Sequence, residues 1–201
     1  MSYTKKYNRD MRYDITESEM QKTNKQKIRL LGSNKIYRGN ISVRIDRFQL
    51  DKKMIKKEIV EHLPSVGIIP VPDDHNIIFV VQYRHATGKT MLEIPAGKIE
   101  NDETPMQAAF REMAEEIGYT GNLAPLSHWY LAPGYSTEMM QIFIATNLKK
   151  LKKRGKLDAD ENITIKRMKL NTAVKKCIKG EIEDCKTVAA LLTYAWYQDS
   201  I

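Results

Sequence analysis

The chain is poor in cysteine and has no long apolar segment. Its 201 residues include two cysteines, Cys177 and Cys185, which are too few for a disulfide framework and lack the spacing of a zinc site. No apolar run approaches the roughly 18 residues that a membrane helix needs. The N-terminal residues MSYTKKYNRD lead into polar sequence rather than into the apolar core of a signal peptide. We therefore expect a protein of the reducing cytoplasm with no membrane partner.

The charge of the chain is unevenly distributed. The net charge is +8, yet residues 66–145 carry −6, whereas residues 1–65 and 146–201 carry +8 and +6. A carboxylate-rich centre favours divalent cations and basic flanks favour phosphates, although solubility alone explains most of the surface lysines. This distribution indicates a metal-dependent enzyme acting on a phosphate ester, where net charge alone would have suggested a nucleic-acid partner.

Hydrophobic periodicity divides the chain into three parts. Residues 1–26 are polar and predict a tail or one loosely held helix, and short alternating stretches in residues 27–62 predict a small antiparallel β subdomain. Strands and helices interleave in residues 63–201, and the lysine-rich Lys149–Lys156 predicts a solvated loop. The expected strands are Val66–Val71, Ile77–Tyr83, Met91–Ile94, His128–Leu131, Met140–Thr146 and Ile163–Leu170, and the expected C-terminal helices are 172–179 and 187–197. The predicted class is mixed α/β (α+β).

The segment GKIENDETPMQAAFREMAEEIGY contains the strongest local signals. Thr104 is a good N-cap and Pro105 suits the first helical position. Gln107 completes a capping box and Gly118 supplies a stop, so the predicted helix spans about 104–117. Apolar residues at helical spacing predict one stripe that faces the core, with Ala109 at its edge: Met106, Phe110, Met113 and Ile117.

Three glutamates of this helix, Glu112, Glu115 and Glu116, fall within an arc of about 100° beside or opposite the stripe. Carboxylates at these spacings repel each other unless a cation lies between them, and Arg111 relieves only part of the repulsion. For an isolated pattern of this kind, a solvated acidic helix face is the favoured interpretation. The residues that surround these glutamates in the sequence favour a different interpretation.

The segment fits the pattern G-x5-E-x7-R-E-U-x-E-E-x-G-U, in which U is a bulky apolar residue. Every fixed position matches: Gly97, Glu103, Arg111, Glu112, Glu115, Glu116 and Gly118, with Met113 and Tyr119 at the U sites. In this respect the sequence resembles the Nudix hydrolases, although Tyr119 is aromatic where the pattern usually has an aliphatic residue. The resemblance implies an α/β/α sandwich with a mixed sheet. It also implies a loop–helix–loop that binds Mg²⁺, or Mn²⁺, and hydrolyses a nucleoside diphosphate linked to another moiety.

The resemblance also assigns metal ligands. It implies that Glu112 and Glu116 are the main ligands, that Glu115 supplies a further or water-mediated contact, and that the backbone carbonyl of Ala96 coordinates from the preceding loop. The chemistry agrees, because water attack on a pyrophosphate needs cations that bridge its oxygens, and Mg²⁺ takes oxygen ligands. A helix presents such carboxylates at a fixed separation.

Further residues of the motif have expected supporting roles. Arg111 and Glu103 are expected to pair and to hold the loop against the helix, and Arg111 and Glu115 count with the catalytic set. Gly97 is expected to allow a backbone conformation that residues with a Cβ resist. Glu161, in an acidic loop resembling that of the subgroup described next, is the first candidate for the general base and Glu138 the second, with a solvated loop acid as the alternative for Glu161.

Three stretches resemble the ADP-ribose pyrophosphatase subgroup: Gln82–Arg84, Leu92–Gly97 and Ala132–Glu138. This resemblance implies hydrolysis of ADP-ribose to AMP and ribose 5-phosphate, with Arg84, Glu93, Pro133 and Gly134 binding the substrate. Arg84 either clamps a phosphate or pairs with Glu93. Another nucleoside diphosphate sugar or an oxidised nucleotide is the alternative substrate.

Lys35–Gly39 resembles the N-terminal sheet of this subgroup, which implies a homodimer whose subunits exchange that sheet. The rival from a different class is a nucleic-acid-binding protein that uses the same scaffold only for recognition, as the basic flanks suggest. Three clustered glutamates argue against it, because a binder of polyanions gains nothing from them.

Overall fold

The computed structural model describes residues 28–73, 75–155 and 162–199. The expected tail, residues 1–26, and the candidate base Glu161 lie outside these ranges. Of the helices that are described, none is both long enough and apolar enough to cross a bilayer.

The first described strands form a separate antiparallel sheet. Strand β1 (Ile28–Arg38) pairs with β2 (Ser42–Leu50), which pairs with β3 (Lys53–Glu61). The turn between β2 and β3 contains Asp51 at φ 51°, a left-handed conformation that aspartate tolerates. The small antiparallel sheet that the sequence predicts within residues 27–62 is therefore present.

Among the described residues, two further sheets contain the strands β4 (Ser65–Pro70), β5 (Asn76–Arg84), β6 (Lys89–Glu93), β7 (Ala96–Lys98), β8 (Tyr119–Tyr130), β9 (Met139–Lys150) and β10 (Thr164–Lys169). The first has the order β10-β5-β6 and is antiparallel, and the second has the order β7-β4-β9-β8. Strands β4 and β9 run parallel, whereas β4–β7 and β8–β9 are antiparallel, so the second sheet is mixed.

Helices cover both faces of these strands. Helix α1 (Pro105–Glu112) continues as a π-helical turn (Met113–Ile117), and α2 (Leu170–Ile178) and α3 (Cys185–Asp199) follow β10. Alternate side chains of one strand point to opposite faces. In β5, Ile77 and Phe79 accordingly pack in the cluster that includes α2 and α3, whereas Ile78 and Val80 pack in the cluster that includes α1. This arrangement is the predicted α/β/α sandwich.

Two sequence expectations about local structure were correct in position but wrong in extent. Strands β8 and β9 are much longer than the short apolar runs that indicated them, because pairing between them continues through polar residues. Lys149–Lys156 is not simply a solvated loop, since its first two residues belong to β9 and Arg154 hydrogen-bonds to the backbone of the π-helical turn.

Candidate active site

The helix that carries the glutamates begins and ends where its sequence predicts. The Thr104 hydroxyl accepts from the backbone N–H of Gln107 at 3.3 Å, and the Gln107 side chain accepts from the Thr104 N–H at 2.8 Å. This reciprocal pair is a capping box. Gly118 ends the helix at φ 73°, in the left-handed region that favours glycine, and its N–H donates to the Met113 carbonyl.

Only the C-terminal half of the predicted stripe, Met113 and Ile117, is buried as expected. Met106 is 43% exposed and Phe110 is 36% exposed, whereas Ala108 and Ala109 are fully buried. These two alanines pack in the core cluster that includes residues of β4. The buried face therefore includes two carboxylates, Glu112 and Glu116.

Arg111 is the cationic centre of the motif. Its Nε and Nη2 donate to the two carboxylate oxygens of Glu103 at 2.7 and 3.0 Å, so the predicted pair is present. Its Nη1 donates to Glu112 at 2.7 Å and to Glu115 at 3.0 Å, and its Nη2 also donates to the Lys98 carbonyl. Hydrogen bonding from Arg111 holds the pKa of Glu103 below its ordinary value. One guanidinium thus binds the loop to three acids of the motif.

The loop Ala96–Gly97 lies directly against the two buried carboxylates. The Ala96 N–H donates to Glu116 Oε2 at 3.0 Å. An added Cβ on Gly97 would lie 1.9 Å from Glu112 Oε1. Gly97 is not among the glycines with a left-handed φ, so the expectation of a special backbone conformation was wrong. Glycine is required here because the Glu112 carboxylate fills the space that a side chain would take.

Replacement of Gly97 by Ala should therefore displace Glu112 or the loop. Because a displacement of about 1 Å at a catalytic site costs roughly 100-fold in rate, we expect kcat to fall by about that factor. Gly32→Ala is the matched control, since an added Cβ at Gly32 meets no atom within 4 Å. Steady-state kinetics on both variants checks the prediction, and wild-type kcat in Gly97→Ala would contradict it.

The donor set around this loop suits a hard divalent cation. Carboxylate oxygens of Glu112 and Glu116 contact the loop that also carries the Ala96 carbonyl, and oxygen donors are what Mg²⁺ prefers. Within the described ranges, no group of three or more His, Cys, Asp or Glu residues is close enough to hold a metal by itself. Mg²⁺ does not need such a cage, because it binds through one or two carboxylates, water and substrate phosphates. The residues present fit the cation.

Arg84 is engaged by Glu93. Its Nε and Nη2 donate to the two Glu93 carboxylate oxygens at 2.8 and 2.7 Å. Of the two roles expected for Arg84, the structure thus shows the pairing with Glu93. Glu93 is 1% exposed and also accepts from the Lys186 ammonium. Burial opposes ionisation of Glu93, but Arg84 and Lys186 outweigh it and hold its pKa below the ordinary value. The Arg84 side chain remains 41% exposed, so it is anchored and still accessible.

The first turn of α3 completes this network, and sequence reasoning missed it. Asp184 accepts from the Thr187 N–H at 3.0 Å, as an N-cap does, and the Lys186 ammonium donates to Asp184 at 3.0 Å. The Thr187 hydroxyl accepts from the Ile94 N–H at 2.9 Å. An aspartate three residues before a threonine at the start of an apolar run was the available signal. This turn therefore holds the strand end that leads to Ala96.

A cavity of about 320 Å³ opens beside these groups, within the usual range for ligand sites. Its lining includes Arg84, Ala96, Lys186 and Glu138. Glu138 accepts from the Ser65 hydroxyl at 2.8 Å, and its Oε1 lies 3.6 Å from His62 Nδ1. Sequence reasoning missed His62 and Ser65, because neither belongs to a motif. The cavity thus combines cationic groups, a carboxylate and the loop of the metal motif.

Pro133 and Gly134 are exposed and are not among the residues that line this cavity. They belong to a turn in which the Tyr135 and Ser136 N–H groups donate to the Ala132 carbonyl. The turn is attached to β3, since the Val60 N–H donates to the Tyr135 carbonyl at 2.8 Å. The structure therefore places Arg84 and Glu138 in the lining of the cavity and leaves Pro133 and Gly134 outside it. Glu93 is not in the lining either, but it binds Arg84 and Lys186, which are.

Comparisons with known proteins agree with this geometry. The family model described as "NUDIX domain" matches residues 61–190. The ADP-ribose pyrophosphatase of Bacillus subtilis (strain 168) is 38% identical over 69% of this chain and 76% of that protein. The methanol dehydrogenase activator of Bacillus methanolicus is 32% identical over 79% of this chain and 88% of that protein.

A crystal structure described as that of an ADP compounds hydrolase shares the fold, with a TM-score of 0.76 and 24% identity. It covers 87% of this chain, and this chain covers 96% of it. The family match spans the helix, the glutamates and the preceding loop, which are the parts whose geometry suits a divalent cation. The chain belongs to the NUDIX family and is a Nudix hydrolase.

Proposed function

We propose that the chain hydrolyses the diphosphate bond of ADP-ribose to give AMP and ribose 5-phosphate. The observation that carries this proposal is the cavity in which the loop Ala96–Gly97 lies beside Arg84 and Lys186. Oxygen donors for a divalent cation and fixed positive charges together match a diphosphate. The name of the Bacillus subtilis relative supports ADP-ribose as the substrate.

Mg²⁺, or Mn²⁺ as the alternative, would be held by Glu112, Glu116 and the Ala96 carbonyl, with Glu115 joining directly or through water. When bound, such a cation supplies neutralisation of phosphate charge and activation of water. Arg111 keeps Glu112 and Glu115 in place through its hydrogen bonds. Because Glu103 binds the other side of the same guanidinium, the loop and the helix hold one geometry.

Hydrolysis requires one proton transfer and one bond cleavage. The oxygen of water attacks one phosphorus, the bond from that phosphorus to the bridging oxygen breaks, and the leaving phosphate takes the electron pair. A carboxylate accepts the proton of the attacking water. Glu161 is the first candidate for this base and Glu138 the second, and Glu138 lines the cavity. Arg84, oriented by Glu93, would bind a substrate phosphate, and Pro133 and Gly134 would contact substrate from the rim.

A substrate panel tests the proposal. Purified protein with Mg²⁺ is incubated with ADP-ribose, ADP-glucose, GDP-mannose and 8-oxo-dGTP at equal concentrations, and the products are separated by chromatography. We expect the highest kcat/KM for ADP-ribose, with AMP and ribose 5-phosphate as products and no turnover in excess EDTA. A higher kcat/KM for another compound would identify that compound as the preferred substrate instead of ADP-ribose. Turnover in EDTA would overturn the metal requirement.

We also propose that the chain forms a homodimer through the sheet of β1, β2 and β3. Every residue of β1 is exposed, including Ile28, Leu30, Ile36 and Tyr37, which are all more than half exposed. An apolar surface of this kind is typical of an interface. Sedimentation equilibrium of the wild type and of Leu30→Lys/Ile36→Lys checks the proposal. A monomeric wild type would contradict it.

We further propose that the protein is located in the cytoplasm. Both Cys177 and Cys185 are free thiols. Burial raises the pKa of the Cys177 thiol, which keeps it protonated and unreactive. Free thiols suit a reducing compartment. Fractionation of the source cells with an antibody to the protein would detect it elsewhere if the proposal is wrong.

A further inference from the structure

The segment 151–155 lies against the end of the helix that carries the glutamates. Arg154 donates from Nε to the Glu115 carbonyl at 2.7 Å and from Nη2 to the Glu116 carbonyl. The Gly155 N–H donates to the Ala114 carbonyl at 3.1 Å. Two adjacent residues therefore bind the carbonyls of three consecutive residues of the π-helical turn. We call Arg154 and Gly155 the carbonyl clip.

The clip packs closely against the turn. An added Cβ on Gly155 would lie 2.6 Å from Glu115 Cγ and 2.9 Å from Glu115 Cα. Because one of these atoms is backbone, it cannot move aside without moving the turn. The Arg154 stem crosses Gly118, whose added Cβ would lie 3.5 Å from Arg154 Cγ. The Leu151 N–H donates to the Gly118 carbonyl at 2.9 Å, which anchors the start of the segment.

These carbonyls need a partner outside the helix. The last carbonyls of a helix accept no hydrogen bond from an N–H of the helix itself, and a positive charge at this end also complements the helix dipole. A π-helical turn has an i→i+5 hydrogen-bond pattern, is rare, and frequently occurs at functional sites. The carbonyls of Glu115 and Glu116 belong to the same residues whose side chains are proposed to face the cation. Arg154 therefore acts on the backbone from which both carboxylates project.

We propose that Arg154 is a positioning residue for the metal site. Its guanidinium bridges the carbonyls of Glu115 and Glu116, which fixes the orientation of the π-helical turn and hence the separation of its carboxylates from Ala96. Arg111 restrains the carboxylate of Glu115 directly, whereas Arg154 restrains the main chain behind it. This inference rests on the proposed metal site but not on the identity of the substrate.

The test measures Mn²⁺ binding to the full chain without substrate, by electron paramagnetic resonance of the free ion. Loss of an outer contact that orients a metal ligand costs about 10- to 100-fold in affinity. We expect the Mn²⁺ Kd of Arg154→Gln to rise by about that factor. Arg154→Lys keeps the charge but lacks the planar fork of donors that spans both carbonyls, so its Kd should lie between those of the wild type and Arg154→Gln. Lys153→Gln is the control, because Lys153 is exposed and belongs to the same segment.

The outcomes separate positioning from a purely structural role. A folded Arg154→Gln with a lowered Tm and the wild-type Mn²⁺ Kd would overturn the inference. If Arg154→Gln does not fold, the same comparison on Arg154→Lys decides, and an unchanged Kd there overturns it. Absence of Mn²⁺ binding by the wild type would overturn both the metal site and this inference. Mn²⁺ binding without ADP-ribose hydrolysis would overturn only the proposed substrate.

Discussion

Glu116→Gln should lower turnover strongly while leaving the fold intact. Glutamine keeps the shape and an acceptor oxygen for the Ala96 N–H, but it removes the negative charge that would hold the cation. Glu116 is 2% exposed, so a neutral side chain at this position also avoids the cost of burying a charge. Losing one preorganised electrostatic contact lowers kcat by about 100- to 1000-fold. We expect at least that loss, together with a raised Mn²⁺ Kd.

The control for this variant is Glu183→Gln, which removes an exposed carboxylate paired with Lys89. A surface pair contributes about 0–1 kcal/mol to stability, so this change should leave kcat, Kd and Tm near their wild-type values. The measurements are kcat at rising Mg²⁺ concentration, the Mn²⁺ Kd and thermal unfolding. Wild-type turnover of Glu116→Gln at ordinary Mg²⁺ would show that Glu116 is not a metal ligand. A large fall in Tm would show that its main role is in folding.

Local chemistry explains which parts of this site could be predicted from sequence. Thr104, Pro105 and Gln107 act on backbone groups within the first turn of α1, and Gly118 acts on the backbone where the helix ends. Such signals depend on neighbours only a few residues away, so they predict the helix limits correctly. The continuous apolar run Ile77–Val81 of β5 likewise predicts a strand buried on both faces, and its side chains do alternate between two cores.

Contacts between distant parts of the chain could not be predicted in this way. Lys186 and Glu93 are 93 residues apart, and Arg154 and Glu115 are 39 residues apart. Neither contact has a periodic pattern or a local turn to indicate it. The predicted apolar stripe was wrong at Met106 and Phe110 for a related reason, since the core packs against Ala108 and Ala109 there and hydrophobicity favoured the larger side chains. Packing distance between elements is a property of the folded chain.

The structure shows where one candidate for the general base, Glu138, lies relative to the cavity. Glu138 lines the cavity, accepts from the Ser65 hydroxyl at 2.8 Å and lies 3.6 Å from a nitrogen of His62. A hydroxyl that donates to one carboxylate oxygen fixes the orientation of that carboxylate. Glu161 lies outside the described residues, so its candidacy rests on the resemblance of its acidic loop. The two candidates predict different kinetics.

Loss of the general base should act on the chemical step alone. A positioned base contributes about 100- to 10,000-fold, and an interaction made mainly in the transition state lowers kcat while leaving KM nearly unchanged. We expect this result for Glu161→Gln, with the Mn²⁺ Kd unchanged. If Glu161 is a metal ligand instead, raised Mg²⁺ or Mn²⁺ should recover much of the activity. If it is a solvated acid, kcat should stay near the wild-type value.

Glu138→Gln, measured in parallel, decides between the two acids. When Glu161 is the base, this variant should keep most of its kcat, because glutamine still accepts from the Ser65 hydroxyl and preserves the wall of the cavity. Ser65→Ala tests that contact separately, since it removes the donor and leaves the carboxylate. A severe loss of kcat that is confined to Glu138→Gln and insensitive to metal concentration would transfer the role of base to Glu138. The attacking water would then be activated beside Ser65 and His62, on the side of the cavity next to β3.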